Sequence, residues 1–170
     1  YLVEGGGSEG GKLYSVFPPT GLWKRYTRSF WLSWRKGGDV EYVMQSQYMS
    51  EEAGDFLENF EEDRKNSLMG FCVLGGIFSE GIDSYGDKLI GTVIVGTGLP
   101  QVVPGRELLR QYFDGQGVKG FDYAYLYPGM NKVLQAAGRV IGTDEDRGVI
   151  LLLDDRFADR RYRETFPREW

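Results

Sequence analysis

The sequence predicts an α/β fold in which helices cover both faces of a mostly parallel central sheet. Short apolar runs, such as VILLL at 149–153, have the continuous character of strands that are buried on both faces. These runs alternate along the chain with segments of helical character, which is the order typical of parallel sheets. The chain has 170 residues, of which 41% are hydrophobic, enough for the core of one domain.

Five strands are predicted from apolar runs that Gly, Pro or polar residues bound. The first, KLYSVF, ends at Pro18-Pro19, and the third and fifth are expected to be buried because their apolar character is unbroken. The predicted strand ranges are 12–17, 40–44, 71–74, 89–95 and 148–153. Residues 5–11 contain five Gly, so 1–11 is predicted to be a flexible N-terminal segment and 12–170 the domain.

Five helices are predicted between and after these strands. Thr20 can cap the first helix, and Ser50, which two glutamates follow, can cap the second. Pro128 falls near the first turn of the fourth helix, a position where its missing N–H costs nothing. The predicted helix ranges are 22–36, 51–65, 106–113, 129–141 and 159–165.

The composition excludes several kinds of site and partner. The chain has no histidine, so a His-based triad, general base or metal site is excluded. Cys72 is the single cysteine, so it forms no disulfide within the chain and holds no zinc or iron–sulfur site by itself. A lone thiol fits a reducing, cytoplasmic location. No apolar run approaches the ~20 residues that a membrane span needs, and no membrane partner is expected.

Charge is distributed unevenly along the chain. The net charge of −5 argues against general nucleic-acid binding, which would need a local basic face. Residues 21–38 provide such a stretch, with five bases that include Arg25 and Arg28 and with no acid, whereas 41–66 carries eight acids and two bases. The basic stretch has two interpretations: a solvated helix face, or a DNA-binding face whose interleaved aromatic rings stack on bases.

The segment GGIFSEGID at 75–83 follows the third predicted strand. In open parallel sheets ligands bind beyond the carboxyl ends of strands, and a turn of Gly and Ser presents N–H and hydroxyl groups to phosphate oxygens. Asp83 can accept a hydrogen bond from a ribose hydroxyl or an Arg. The alternative is an ordinary tight connection with Asp83 as a cap.

The segment QAAGRVIG at 135–142 lies on the fourth predicted helix. Its residues Gln135, Gly138, Arg139 and Gly142 have spacings that place them on one helix face. Gly138 lets a partner approach closely, and Arg139 presents a guanidinium fork suited to phosphate. The alternative is a surface Arg in a salt bridge with an acid such as Asp144 or Asp146.

Two weaker signals remain. Val95-Gly96-Thr97-Gly98 begins like a dinucleotide fingerprint, but the third Gly is missing and Pro100 blocks smooth entry into a helix. Asp154-Asp155 suggests either a magnesium site or, as the favoured interpretation, caps of the next helix.

Taken together, three segments resemble a known family. GGIFSEGIDSYGDKLIG is similar to motif V of XPD/DinG-like superfamily 2 DNA helicases. QAAGRVIG, followed by TDEDRGVILLLDDRF, is similar to their motif VI and the strand after it, and LYSVFPPT is similar to their motif IV. The three segments occur in the family's order, and the resemblance covers nearly the whole chain from Leu13 to Trp170.

The resemblance implies the second RecA-like lobe of an ATP-dependent 5′-to-3′ DNA helicase. Its partners would be single-stranded DNA and a first lobe of the same polypeptide. That first lobe would supply the phosphate loop, most ligands of Mg²⁺ and, in many members, an iron–sulfur cluster. The chain begins at Tyr1 rather than Met, which fits a fragment of a longer polypeptide or trimmed disorder. The isolated lobe is expected to be inactive by itself.

The resemblance also implies roles for individual residues. Arg139 would be the arginine finger that meets the γ-phosphate of ATP, with Gln135 in the same cleft and Gly138 beside them. We expect Arg139 to project from the sheet edge that carries the 75–83 loop. The remaining implied residues couple nucleotide to DNA (Glu80, Gly81 and Asp83) or face the DNA backbone (Thr20 and Ser79, with Arg25 and Arg28 of the basic stretch).

One departure from the family pattern bears on activity. Motif VI normally has a second Arg three residues after the first, where this chain has Gly142. Because such an arginine is worth ~10³–10⁵ in rate, either another base such as Arg147 substitutes or hydrolysis is lost. The alternative function is therefore a non-catalytic helicase-like module that binds DNA or protein. A nucleotide-binding enzyme of another class is a third, less favoured reading.

Overall fold

The computed structural model describes residues 12–17, 40–45, 66–76, 89–140, 147–168 and 170. These residues include five strands that form one sheet in the order β2-β3-β1-β4-β5. Every neighbouring pair is parallel, as predicted. The strands are β1 Lys12–Phe17, β2 Val40–Met44, β3 Ser67–Val73, β4 Leu89–Val95 and β5 Val149–Leu153.

Three strands, β1, β2 and β4, have the predicted bounds, but β3 does not. The prediction placed β3 at 71–74, whereas the strand begins four residues earlier at Ser67, and Leu74 lies in the turn that follows. The additional residues Ser67 to Gly70 pair with β2 on one side, and most of them with β1 on the other. Burial of β3 is confirmed, because its five central residues are all buried.

Burial of β5 was predicted, and this prediction is wrong. β5 pairs with β4 and lies at the end of the described sheet. Val149, Leu151 and Leu153 are each more than 40% exposed, while Ile150 and Leu152 pack against the core. The apolar run is continuous, but only the face of Ile150 and Leu152 packs against the core, and the face of Val149, Leu151 and Leu153 stays exposed.

The described helices differ in detail from those predicted. They are α1 Pro104–Gly115, α2 Tyr127–Gly138 and the short α3 Arg160–Arg163. α1 begins at Pro104 rather than at 106, in the first turn, where proline needs no hydrogen-bond donor. The helices predicted at 22–36 and 51–65 lie outside the described residues.

A π-helical segment, Asp122–Leu126, leads without a break into α2. The Tyr127 N–H donates to the Asp122 carbonyl, five residues earlier, as in a π-helix. Pro128 then has no N–H for the carbonyl of Ala124, four residues before it. Arg106 of α1 donates to this carbonyl instead, with a distance of 3.0 Å from Nη1 to O.

Helix α2 covers one face of the sheet and forms the main core with it. Its buried residues include Met130, Val133 and Ala137, which lie in one cluster with Cys72 of β3 and Ile94 of β4. Burial raises the pKa of the Cys72 thiol, which keeps it neutral and unreactive. None of the helices in the described part of the chain is long and apolar enough to cross a membrane.

The opposite face of the sheet carries a smaller cluster. Met69 and Phe71 of β3 are buried there with Val40 and Val95 beside them. No helix from the described ranges lies in this cluster, and the helices predicted before β2 and β3 fall outside those ranges. The prediction of helices on both faces is therefore observed directly for the α2 face.

The C-terminal residues close the main core. Phe157 and Tyr162 are buried against it. Asp159 caps α3 by accepting from the Arg161 N–H at 2.8 Å. The Arg161 guanidinium pairs with the buried carboxylate of Asp122 and lies over the Phe121 ring. Through this ion pair α3 is attached to the π-helical segment.

Candidate functional site

Helix α2 runs antiparallel to the strands, so its two ends lie at opposite edges of the sheet. We call these the carboxyl edge, where strands end, and the amino edge, where they begin. Gly129, at the start of α2, packs on Gly98 beyond the end of β4; a Cβ on Gly98 would lie 2.8 Å from the Gly129 carbonyl oxygen. Val140, just after α2, packs on Gly148 at the start of β5.

The amino edge holds three of the predicted site residues. Gln135 is exposed in the last turns of α2, and Gly138 is the last residue of that helix. Arg139 follows with right-handed helical backbone angles, φ −72° and ψ −20°, and its side chain is half-buried. Among the described residues, no atom lies within 4 Å of the position that a Cβ on Gly138 would occupy.

Two sequence expectations about this segment need correction. The helix was expected to continue to 141, but it ends at Gly138, so it does not carry position 142; Gly142 itself lies outside the described residues. Arg139 was expected at the edge that carries the 75–83 loop. Gly75 begins that loop at the carboxyl edge, whereas Arg139 lies at the amino edge. A helix that connects parallel strands must return along the sheet, so its last residue and a strand end lie at opposite edges.

The carboxyl edge brings together residues that sequence reasoning did not connect. Gly75 has a positive φ of 75°, and the side chain of Lys132 from α2 lies directly against it. Gln45, just after β2, is buried, and its Oε1 accepts from the Val73 N–H at 2.8 Å. No sequence motif marks Lys132 or Gln45. A parallel sheet with β2 beside β3 is the arrangement that makes them neighbours.

The Gly96–Gly98 turn does not form a dinucleotide cradle. No helix begins until Pro104, and Gly98, with a φ of 63°, is closely packed against Gly129 and Leu74. The hydroxyl oxygen of Thr97 is buried and has no hydrogen-bond partner among the described residues. This loop therefore serves packing between β4 and α2.

The capping interpretation is confirmed for Asp154, which caps the short 3₁₀ turn Asp155–Ala158, whereas the predicted C-terminal helix, α3, is capped by Asp159. The Asp154 carboxylate accepts from the Arg156 N–H at 3.0 Å and pairs with the Arg156 guanidinium at 2.7 Å. The hydrogen bond from the Arg156 side chain lowers the pKa of Asp154. Within the described ranges no group of three acidic or thiol side chains is placed to hold a metal ion.

The other predicted site residues lie outside the described residues. They are Thr20, Arg25, Arg28, Ser79, Glu80, Gly81 and Asp83. The described chain resumes after the 75–83 loop at Leu89, which starts β4 at the amino edge, the edge that also holds Arg139.

Comparison with known proteins decides the family. A family model described as "Helicase C-terminal domain" matches residues 20–170. The chain belongs to this family of helicase C-terminal domains. The match includes both the segment at 75–83 and the segment that ends α2, and it confirms the resemblance on which the site roles were based.

Individual relatives agree with the assignment. This helicase C-terminal domain is 35% identical over 108 residues to "ATP-dependent DNA helicase DinG" of Photobacterium profundum, covering 62% of the chain and 16% of that protein. It is 32% identical over 117 residues to "Probable ATP-dependent helicase MJ0942" of Methanocaldococcus jannaschii, covering 64% of the chain and 17% of that protein. The chain thus spans about a sixth of the length of these curated relatives.

The fold of the helicase C-terminal domain is also shared with solved structures. A structure titled "XPD_Helicase" superposes with a TM-score of 0.67 at 21% identity, covering 92% of this chain and 27% of that one. The predicted RecA-like α/β fold is therefore confirmed.

Proposed function

We propose that this chain is the second RecA-like lobe of an ATP-dependent 5′-to-3′ DNA helicase. In this role it completes an ATP site between two lobes of one polypeptide and contacts the backbone of single-stranded DNA. The observation that carries the proposal is the family match over 20–170, which includes every residue with an assigned role. The relatives' names, which specify ATP-dependent helicases, support the reaction class.

The position of Arg139 supports its role as the arginine finger. An arginine finger acts by placing a fixed positive charge where negative charge grows on the transferred phosphoryl group. Arg139 follows a helix whose buried face is anchored in the core, so its backbone is held firmly. None of the described residues crowds the position of a Cβ on Gly138, which supports an approach of the first lobe and its bound nucleotide at this surface. Gln135 is exposed one turn earlier, where it can line the same cleft.

Magnesium belongs to the other half of the proposed site. When bound, the ion neutralises charge on the β- and γ-phosphates during transfer. The family resemblance assigns its ligands mainly to the first lobe. Because half of the site would then be missing, the isolated chain should fold without hydrolysing ATP. An iron–sulfur cluster, where the protein has one, would also belong to the first lobe.

The DNA contacts remain predictions from the sequence. Thr20 and Ser79 are proposed to face the backbone, with Arg25 and Arg28 beside them. Glu80, Gly81 and Asp83 are proposed to couple the nucleotide to DNA. These roles rest on the family resemblance of the 75–83 segment. A cytoplasmic location is part of the same proposal.

Arg139→Ala in the full-length protein tests the catalytic role. We expect DNA-stimulated ATPase to show a fall in kcat of about 10³-fold or more with little change in nucleotide affinity, because the charge Arg139 meets grows in the transition state. Arg163→Ala is the matched control, since Arg163 is exposed on α3 and pairs with no carboxylate of the described residues. Equal activity of Arg139→Ala and the control would overturn the arginine-finger assignment.

Gly142 favours a second candidate, the non-catalytic binding module. In that case the full-length protein binds single-stranded DNA but its ATPase stays at the level of a no-enzyme blank. Gly142→Arg separates the candidates further, because a helicase that lacks only its second motif VI arginine should gain kcat. If ATPase is robust and Gly142→Arg leaves it unchanged, a base such as Arg147 already fills the role. Since α2 ends at Gly138, no gain in helix stability is expected from this substitution.

A further inference from the structure

We infer that Lys132 binds a phosphate of single-stranded DNA at the carboxyl edge of the sheet. This inference rests on the proposed function, but none of the residues that the proposal gives a role contributes to it. It depends on three observations: the position of Lys132 on α2, the absence of side chains at Gly75 and Gly76 after β3, and the buried side-chain amide of Gln45 beside them.

The side chain of Lys132 lies across the backbone of Gly75. A Cβ atom on Gly75 would lie 2.9 Å from Cδ and Cε of Lys132 and 3.0 Å from its Nζ. The φ of Gly75 is +75°, a conformation that L-residues adopt at a cost. Any other residue at 75 would therefore strain the turn and displace the lysine. Glycine at position 75 therefore leaves free the space that the end of the Lys132 side chain occupies.

A second donor group lies beside the next residue of the same turn, Gly76. Gln45 is 8% exposed, and its Oε1 is occupied by the Val73 N–H. Its Nε2 lies 3.0 Å from the position that a Cβ on Gly76 would take, so the amide donors face the turn. The Lys132 ammonium and the Gln45 amide thus flank a two-glycine turn that has no side chain of its own.

The charge of Lys132 is not neutralised within the described part of the chain. No ion pair or hydrogen bond joins its ammonium group to any described residue. Most other half-buried bases of α1 to α3 do have a carboxylate or carbonyl partner, as Arg106, Arg110 and Arg161 show. A half-buried cation without a counter-charge, beside amide donors, favours an anion with several acceptor oxygens.

Two sources could supply a phosphate: the DNA backbone or the bound nucleotide. Lys132 precedes Arg139 by seven residues, about 10 Å along α2. The two residues lie near opposite edges of the sheet, and the γ-phosphate is assigned to the edge of Arg139. Lys132 would then be too distant to meet the same phosphate. The DNA backbone is the source that this separation favours.

Salt dependence of DNA binding tests the inference in the full-length protein. Binding of a labelled oligo-dT is measured by fluorescence anisotropy over a salt series for the wild type and Lys132→Gln. Loss of one phosphate contact should reduce the magnitude of the slope of log affinity against log salt by about 0.7. Equivalently, the affinity ratio of wild type to variant should shrink about 2.6-fold between 50 and 200 mM salt.

Two further variants make the result specific. Lys119→Gln removes an equal charge from the exposed turn after α1 and should leave the slope unchanged. Lys132→Arg keeps the charge and should retain the wild-type slope, which separates charge loss from disturbed packing. Thermal unfolding of Lys132→Gln checks that the variant is folded.

The outcomes distinguish this inference from the proposed function. A wild-type slope in Lys132→Gln, with normal DNA binding, overturns the inference and leaves the helicase proposal intact. A raised KM for ATP with an unchanged DNA slope assigns Lys132 to the nucleotide and also overturns it. Failure of the wild-type protein to bind single-stranded DNA overturns both.

Discussion

Arg106→Met tests how the π-helical segment is joined to α2. Pro128 has no N–H, so it cannot donate to the carbonyl of Ala124, and Arg106 supplies the donor from α1 at 3.0 Å. Ala124 is fully buried, so water has no access to a carbonyl that loses this donor. Methionine retains the aliphatic part of the arginine side chain and removes the guanidinium group.

The expected loss of stability follows from the unpaired acceptor. A buried carbonyl without a partner costs about 1–3 kcal/mol of unfolding free energy. For a chain of this size each kcal/mol lowers Tm by about 2–4 °C, so Tm should fall by roughly 2–12 °C. Arg160→Met is the control, because Arg160 pairs with Glu164 at an exposed site. Such a pair contributes no more than about 0.5 kcal/mol.

Pro128→Ala tests whether Arg106 acts by replacing the N–H that Pro128 lacks, and not only how much stability Arg106 contributes. Alanine restores an N–H that can donate to the Ala124 carbonyl, which makes Arg106 redundant. In a double-mutant cycle the Arg106→Met change should then cost at least about 1 kcal/mol less in the Pro128→Ala background than in the wild type. The measurement is urea unfolding of the four proteins. If the two changes are additive within about 0.5 kcal/mol, Arg106 does not replace the missing N–H and this reasoning is wrong.

Two further predictions concern the surface of α2 and the contact between α1 and the π-helical segment. Gly138→Ala should raise the unfolding free energy by up to about 1 kcal/mol, since the new methyl meets no atom of the described residues. The same change should lower the ATPase of the full-length protein by obstructing the first lobe. A loss of stability in thermal unfolding would contradict this account of the Gly138 surface. The Tyr125 hydroxyl donates to Glu107 at 2.5 Å, and this bond, with that from Arg110, lowers the pKa of Glu107. A lowered folded-state pKa gives stability that is present above the unfolded value of about 4.3 and is lost as pH falls through the folded value. Urea unfolding should therefore show that Tyr125→Phe is destabilised at pH 7 and much closer to the wild type at pH 3; an equal difference at both pH values would exclude the Glu107 bond as its cause.

Much of the local structure was predictable because its causes are local. The bounds of β1, β2 and β4 follow from apolar runs that turn residues end. The capping role of Asp154 follows from a short carboxylate placed before a helical turn. The adjacency of Gln135, Gly138 and Arg139 needs only helical periodicity, and family resemblance gave these residues their proposed roles.

Errors arose where a sequence pattern depends on its neighbours in space. VILLL has the same composition in a central strand and in an edge strand, so the half-exposure of β5 required the strand order. The early start of β3 depended on pairing with both β1 and β2. The π-helical segment depended on a donor from another helix, Arg106.

The sequence by itself determined the fold class, most strand bounds and the segments that carry the family motifs, because apolar periodicity, caps and turn residues act over a few positions. Only the tertiary structure decided which edge each segment occupies. It places Gly75 and Arg139 at opposite edges of the sheet, and it brings Lys132 and Gln45 to the same turn. The physical reason is that sheet order and helix direction arise from the burial of whole faces, and no short stretch of sequence encodes which distant residues that burial brings together.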